Sequence, residues 1–218
     1  MTVQTNGVTL YYESKGAGAP LLFLHGNGED HTIFDPLAAA LAARFTVYAV
    51  DSRNHGQSSR AADYGYEAMT ADIEGMIEAL GLGAVNIAGF SDGAIIALML
   101  AMRNPCAVRK MALLGVNLSP SDFTDESLQW IRETYAETGD PLFKLMMEEP
   151  NIALADTRAV QTPTRIIAAA DDVFKPETFA ALAEAMPNAV LSIVAGHDHG
   201  SYVMGNDMLA AELAEFFA

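Results

Sequence analysis

Six short apolar runs, each closed by polar or glycine residues, constrain the fold of this chain more than any other feature. They are "PLLFLHG", "FTVYAVDSRNHG", "AVNIAGFSDG", "VRKMALLGVN", "PTRIIAAADD" and "AVLSIVAGHDHG". A brief apolar run without alternation is how a strand covered on both faces reads. Such strands belong to parallel sheets, whose crossovers lay helices over the faces. Helical patterns do lie between the runs. Met69, Ile73, Met76, Ile77 and Leu80 keep the spacing of a one-sided helix, and Gly81 follows as its stop. The segment after Gly93 is apolar nearly all round and predicts a buried helix. Leu209, Leu213, Phe216 and Phe217 predict a closing helix, and the opening "VQTNGVTLYYE" predicts a hairpin turning at Asn6-Gly7.

The expected fold class is therefore α/β, one domain over residues 1–218 with a mostly parallel central sheet. An N-terminal hairpin precedes that sheet, and helices cover both its faces. Residues 118–161 break the rhythm, with helical patterns around Ser127–Glu137 and Leu142–Glu148 but no strand signal. Pro120, Pro141 and Pro150 punctuate them. A short helical cap is expected there, over the C-terminal edge of the sheet, where open α/β sheets bind ligands.

Charge narrows the partners. The formal net charge of −16 argues against nucleic acid or an anionic membrane surface, since both are polyanions. Solvated helix faces carrying Asp125, Glu126, Glu133 and Glu137 account for part of it. The opening "MTVQTNGVTLYYESKG" lacks the basic start and apolar core of a signal peptide, and no apolar run is long enough for a bilayer. The one cysteine, Cys106, fits a reducing compartment, so a cytoplasmic setting is expected, with Cys106 acting as a small structural hydrophobe.

Chemistry concentrates at the ends of the runs. Gly89-Phe90-Ser91-Asp92-Gly93 matches G-x-S-x-G between a predicted strand and a predicted helix, the setting of a nucleophile elbow. Glycines are needed there because so tight a turn leaves no room for side chains beside the serine. A serine hydroxyl attacks poorly unless a base takes its proton and a third group orients that base. Farther along, Asp171 and Asp172 close one run, and "GHDHGS" with His197 and His199 closes the last. Serine, acid and histidine thus occur in the order that an elbow of this kind requires. The Asp92 N–H, following the serine, and the Asn27 N–H in "LHGNG" are the expected oxyanion donors. The Asp92 carboxylate is expected to lie near substrate and favour a cationic one.

These motifs, with His25-Gly26 and "DSRNHGQS" at Asp51–Ser58, resemble the α/β-hydrolase superfamily over essentially the whole chain. The resemblance is to small esterase-like serine hydrolases. It implies an α/β-hydrolase fold, Ser91 as nucleophile, Asp172 as acid and His199 as base. Asp171 and His197 are the adjacent alternatives, and Asp122 a further acid in the loop after the preceding strand. Asn54 stands where the family often has glycine, which asparagine tolerates in left-handed backbone. His25, His55, Asp51 and Arg53 read as loop-bracing residues.

The expected reaction is cleavage of small to medium carboxylic esters through an acyl-enzyme. The partner is a small-molecule ester, without metal or cofactor; the two histidines of His197-x-His199 lack a third ligand. The alternatives keep the triad but cleave a C–C bond, thioester or amide, or transfer the acyl group. A ligand-binding protein without turnover is the remaining reading.

Overall fold

The two positive-φ residues at Asn6 and Gly7 (φ 41° and 77°) form the first turn, joining strand β1 (Thr2–Thr5) to β2 (Val8–Gly16) as an antiparallel hairpin. In a computed structural model, which describes all 218 residues, six further strands follow. They are β3 (Ala19–Leu24), β4 (Phe45–Val50), β5 (Val85–Phe90), β6 (Val108–Leu114), β7 (Thr164–Asp171) and β8 (Ala189–Asp198). The single sheet has the order β1-β2-β4-β3-β5-β6-β7-β8. The strands from β4 to β8 run parallel, and β2 joins β4 antiparallel.

Strand period divides the core in two. Leu22 and Leu24 of β3 point to one face, while Leu21 and Phe23 point to the other. On the first face α2 (Tyr66–Ala79), α3 (Asp92–Arg103) and α7 (Pro176–Ala185) supply Met69, Ile73, Ile95, Leu98 and Phe179. On the second, α1 (Asp35–Leu41) and α8 (Ala210–Phe216) supply Leu37, Leu41 and Leu213. Helix α3 is buried almost all round, as its composition predicts. Gly81, at φ 62°, follows the C-terminus of α2.

Strand β8 departs from the expectation of two covered faces. It ends the sheet, and Val190 and Ile193 are each half exposed, because no neighbour stands beyond it. Cys106 is also exposed, in the turn after α3. No helix is long and apolar enough to cross a membrane.

The chain reverses its direction of travel across the sheet at β3, moving first to β4 and then back to β5. The crevice at such a switch point lies beyond the C-terminal ends of the two strands, so the loops after β3 and β5 meet there. Above that edge, between β6 and β7, stand α4 (Asp125–Thr138), α5 (Pro141–Glu148) and α6 (Leu154–Thr157).

A buried ion pair braces the loop after β4. Arg53 Nε donates to Asp72 Oδ2 at 2.6 Å and Nη2 to Asp72 Oδ1 at 2.7 Å, and Asn6 Nδ2 also donates to Oδ1 at 3.0 Å. Asp72→Ala would strand a buried guanidinium, and an expected loss of about 3–5 kcal/mol follows. Urea denaturation against wild type measures it.

Candidate active site

Ser91 sits between β5 and α3 at φ 51° and ψ −113°, a conformation that L-residues hold only under constraint. Its neighbours supply the constraint. A Cβ on Gly89 would lie 2.2 Å from the Gly93 carbonyl oxygen, and one on Gly93 would lie 2.0 Å from that of Leu24. Both positions therefore require glycine. Ser91 N donates to Leu114 O at 2.8 Å, which ties the elbow to the end of β6.

The acid and histidine ambiguities separate in space. His199 Nδ1 lies 2.7 Å from Asp172 Oδ1, and the Asp172 side chain is 2% exposed. Ala169 N and Phe174 N donate to the same carboxylate at 3.2 Å and 3.3 Å. Asp171 is exposed instead, and His197 Nδ1 lies 3.1 Å from Ser201 Oγ with no carboxylate behind it. Asp122 accepts from Leu118 N and Ser119 N and caps its own turn. The His199 ring is held by Phe90 and Phe174, with centroids 4.9 Å and 5.2 Å away. Gly115 backs it so closely that a Cβ there would come within 2.6 Å of His199 Cε1. His199 Nε2 and Ser91 Oγ carry no hydrogen bond to each other, and both residues line one cavity of about 520 Å³.

The loop after β3 folds against the elbow. A Cβ on Gly26 would meet Ser91 Cβ and Glu29 Oε2, each at 3.0 Å. The N–H groups flanking Asn27 are occupied, Gly26 N by Glu29 Oε2 at 3.0 Å and Gly28 N by His55 Nε2 at 3.1 Å. The Asn27 N–H has no protein acceptor, and Asp92 stands at the first position of α3, where a helix leaves its N–H unpaired. His25 braces the same loop. Its Nε2 accepts from Ser52 N at 3.0 Å, and its Nδ1 lies 2.7 Å from Gly26 O. Burial, then neighbouring His55, lowers its pKa to about 4, so it stays neutral.

The "DSRNHG" turn is fixed in the same way. Asp51 takes His31 N at 2.8 Å and Gln57 N at 2.8 Å, and its Oδ1 lies 2.7 Å from His31 Nδ1. His31, silent in the sequence, is thereby a buried brace. Asn54 takes φ 68°, the left-handed conformation that stands in for glycine.

The Asp92 side chain lines the cavity with both oxygens already engaged, which weakens the expectation that it reads substrate. Tyr66 Oη donates to its Oδ1 at 2.8 Å and Asn27 Nδ2 to its Oδ2 at 3.0 Å, so both oxygens are engaged and the residue is buried. Burial raises its pKa, and the two donors oppose that rise. Asn27 Nδ2 also reaches Leu142 O of α5 at 3.3 Å. One amide thus joins the elbow, the β3 loop and the overlying helices.

Sequence reasoning missed Glu29 and Tyr66. The Glu29 carboxyl lines the cavity, and burial raises its pKa to about 7, against the Gly26 N–H bond that favours its charge. Its signal was an acid two residues beyond Asn27 in "HGNGED". Tyr66 gave none, because its partner is 26 residues away. The helices over the site divide their apolar residues. Phe123, Trp130, Leu142, Phe143 and Met146 line the cavity, whereas Leu145 is buried in the core.

A family model described as the alpha/beta hydrolase fold matches residues 19–146. The chain belongs to the α/β-hydrolase fold family. A 2-(acetamidomethylene)succinate hydrolase of Mesorhizobium japonicum is 35% identical over 144 residues, covering 65% of this chain and 50% of that protein. The sn-1-specific diacylglycerol lipase ABHD11 of Mus musculus is 38% identical over 109 residues, 49% of this chain and 35% of that protein. The chain spans half or less of the length of these relatives. Among solved structures, a meta-cleavage product hydrolase from Pseudomonas fluorescens IP01 superposes with a TM-score of 0.84 at 21% identity. That match covers 100% of this chain and 97% of the other, which shows a shared fold.

Proposed function

We propose that this chain is a serine hydrolase that cleaves small carboxylic esters through an acyl-enzyme. The observation carrying the reading is a histidine clamped by a buried carboxylate in the same cavity as a serine strained above its turn. In this reading Ser91 Oγ attacks the ester carbonyl as His199 Nε2 takes its proton. Asp172 holds Nδ1–H, which leaves Nε2 as the acceptor and stabilises the imidazolium. The Asn27 and Asp92 N–H groups receive the oxyanion; one such donor is worth about 3–4 kcal/mol in comparable sites. His199 then protonates the leaving alcohol, and water cleaves the acyl-serine by the same relay. The residues that brace the loop, His25 and His55 among them, keep the donors in place before substrate arrives.

The cavity of about 520 Å³ supports a small substrate, and its aromatic and aliphatic walls, set among polar residues, suit the acyl and alcohol groups of an ester. The hydrolase and lipase names of the two relatives support hydrolysis of an acyl bond. Labelling with a fluorophosphonate and mapping the adduct tests the reading. The adduct is expected on Ser91 alone, and the Ser91→Ala protein is expected to stay unlabelled. A native protein that resists the probe, or an adduct elsewhere, would overturn it.

A further inference from the structure

The charged groups around the cavity share one sign. Glu29, Asp92, Glu126, Asp140 and Glu149 line it, and no lysine or arginine does. Most of those carboxylates already have work inside the protein. Asp92 is fully engaged, Asp140 Oδ1 accepts from Leu142 N at 2.9 Å, and Glu149 Oε2 accepts from Tyr66 N at 3.0 Å. Asp140 Oδ2 and Glu149 Oε1 still lack a protein donor, as do both oxygens of Glu126. Glu29 stands apart by position: one oxygen takes the Gly26 N–H, Oε1 has no protein donor, and a Cβ on Gly26 would lie 3.0 Å from both its Oε2 and Ser91 Cβ.

A second acceptor points the same way. Asn117 lines the cavity and is 2% exposed; its Nδ2 donates to Ser119 O at 3.0 Å, while its Oδ1 accepts from nothing in the protein. That oxygen is open to the cavity and presents partial negative charge to whatever occupies it. Aromatic faces complete the surroundings, with Phe123 and Phe174 4.7 Å apart and Trp130 against Phe143 at 5.4 Å. Aromatic faces attract cations through the ring quadrupole. Arg60 lines an adjoining cavity, which shares Gly28, Glu29, Asp140 and Leu142 with this one.

We infer that the cavity selects esters bearing a positive charge over anionic ones, with Glu29 as the residue that reads the charge. The inference rests on the hydrolase reading above. It transfers the role first expected of Asp92 to the carboxylate that has an oxygen to spare beside Ser91. A dicarboxylate such as the succinate named for the Mesorhizobium relative finds no cationic side chain lining this cavity.

Two sets of three esters test it. One holds the butyrate esters of choline, of its carbon isostere 3,3-dimethylbutanol, and of 4-hydroxybutanoate. The other places the charge on the acyl side, with ethyl 4-(trimethylammonio)butanoate, ethyl 5,5-dimethylhexanoate and monoethyl glutarate. In at least one set kcat/KM is expected to favour the cation over the anion by at least about tenfold at low ionic strength, with the neutral isostere between. Glu29→Gln is expected to shrink the cation-to-isostere ratio, and so is 1 M salt.

That ratio is also expected to fall as pH drops through about 7, because Glu29 then gains a proton. His199, Asp92 and Asp30 face Glu29 and titrate or hold charge nearby. Charge on His199 would act on the cation and not on its isostere, so the pH dependence is compared with that of Glu29→Gln, and only the part that the substitution removes is assigned to Glu29. Anions handled as well as cations in both sets would overturn the inference, as would a ratio unmoved by Glu29→Gln. Loss of all ester turnover would instead strike the hydrolase reading. Calorimetric binding of the same esters to Ser91→Ala then decides the charge preference without turnover, and equal affinity for cation and anion would end it.

Discussion

Replacing Ser91 with alanine is expected to lower kcat on these esters by on the order of a millionfold, leaving only the acceleration from binding and backbone donors. His199→Ala is expected to cost about as much, and the double variant little more, because the two groups act as one unit. Folding should be nearly untouched by the serine change. Ser91 Oγ makes no hydrogen bond within the protein, and the elbow is held by backbone contacts through Gly89, Gly93 and Leu114. Single-turnover kinetics beside a thermal melt separates the two effects. A Ser91→Ala protein retaining even a hundredth of wild-type turnover would remove that hydroxyl from the reaction.

Asp172→Asn is the next largest effect, an expected loss of about 10⁴-fold in kcat. The reason is a tautomer. The Asp172 carboxylate accepts from His199 and from the N–H groups of Ala169 and Phe174. An amide whose oxygen stays with the Ala169 N–H turns its NH2 toward His199 Nδ1. The imidazole must then accept at Nδ1 and carry its proton on Nε2, where it cannot take one from serine. Asp171→Asn is the control, one residue away but exposed, and its kcat is expected to match wild type. Measuring both variants on one neutral ester checks the assignment; equal losses would refute it.

The fold was legible because its signals are local. Each apolar run sits within a strand, and the Asn6-Gly7 turn, the glycines around Ser91 and the left-handed Asn54 follow from backbone sterics. Edge position is a property of the assembled sheet, and β8 reads like its buried neighbours until the strand order is known. The site divides along the same line. Residue types and chain order picked out Ser91, the family resemblance favoured Asp172 and His199 over their neighbours, and distance now separates each pair. Pairings that span the chain left no trace in the sequence. Tyr66 on Asp92, Asn27 on Leu142 and the spare oxygen of Asn117 depend on which helices lie over the sheet edge. Asp92 shows the hazard, since a carboxylate beside a nucleophile suggests substrate contact until its two donors are seen.

The Asn27 amide has a bearing on timing. It grips Asp92 on one side and the Leu142 carbonyl on the other, and it belongs to the residue whose backbone N–H is left unpaired. If α5 lifted to admit or release a molecule, the amide would lose one of its two anchors. In the proposed reading, the seating of α5 and the aim of an oxyanion donor would then hang on one side chain.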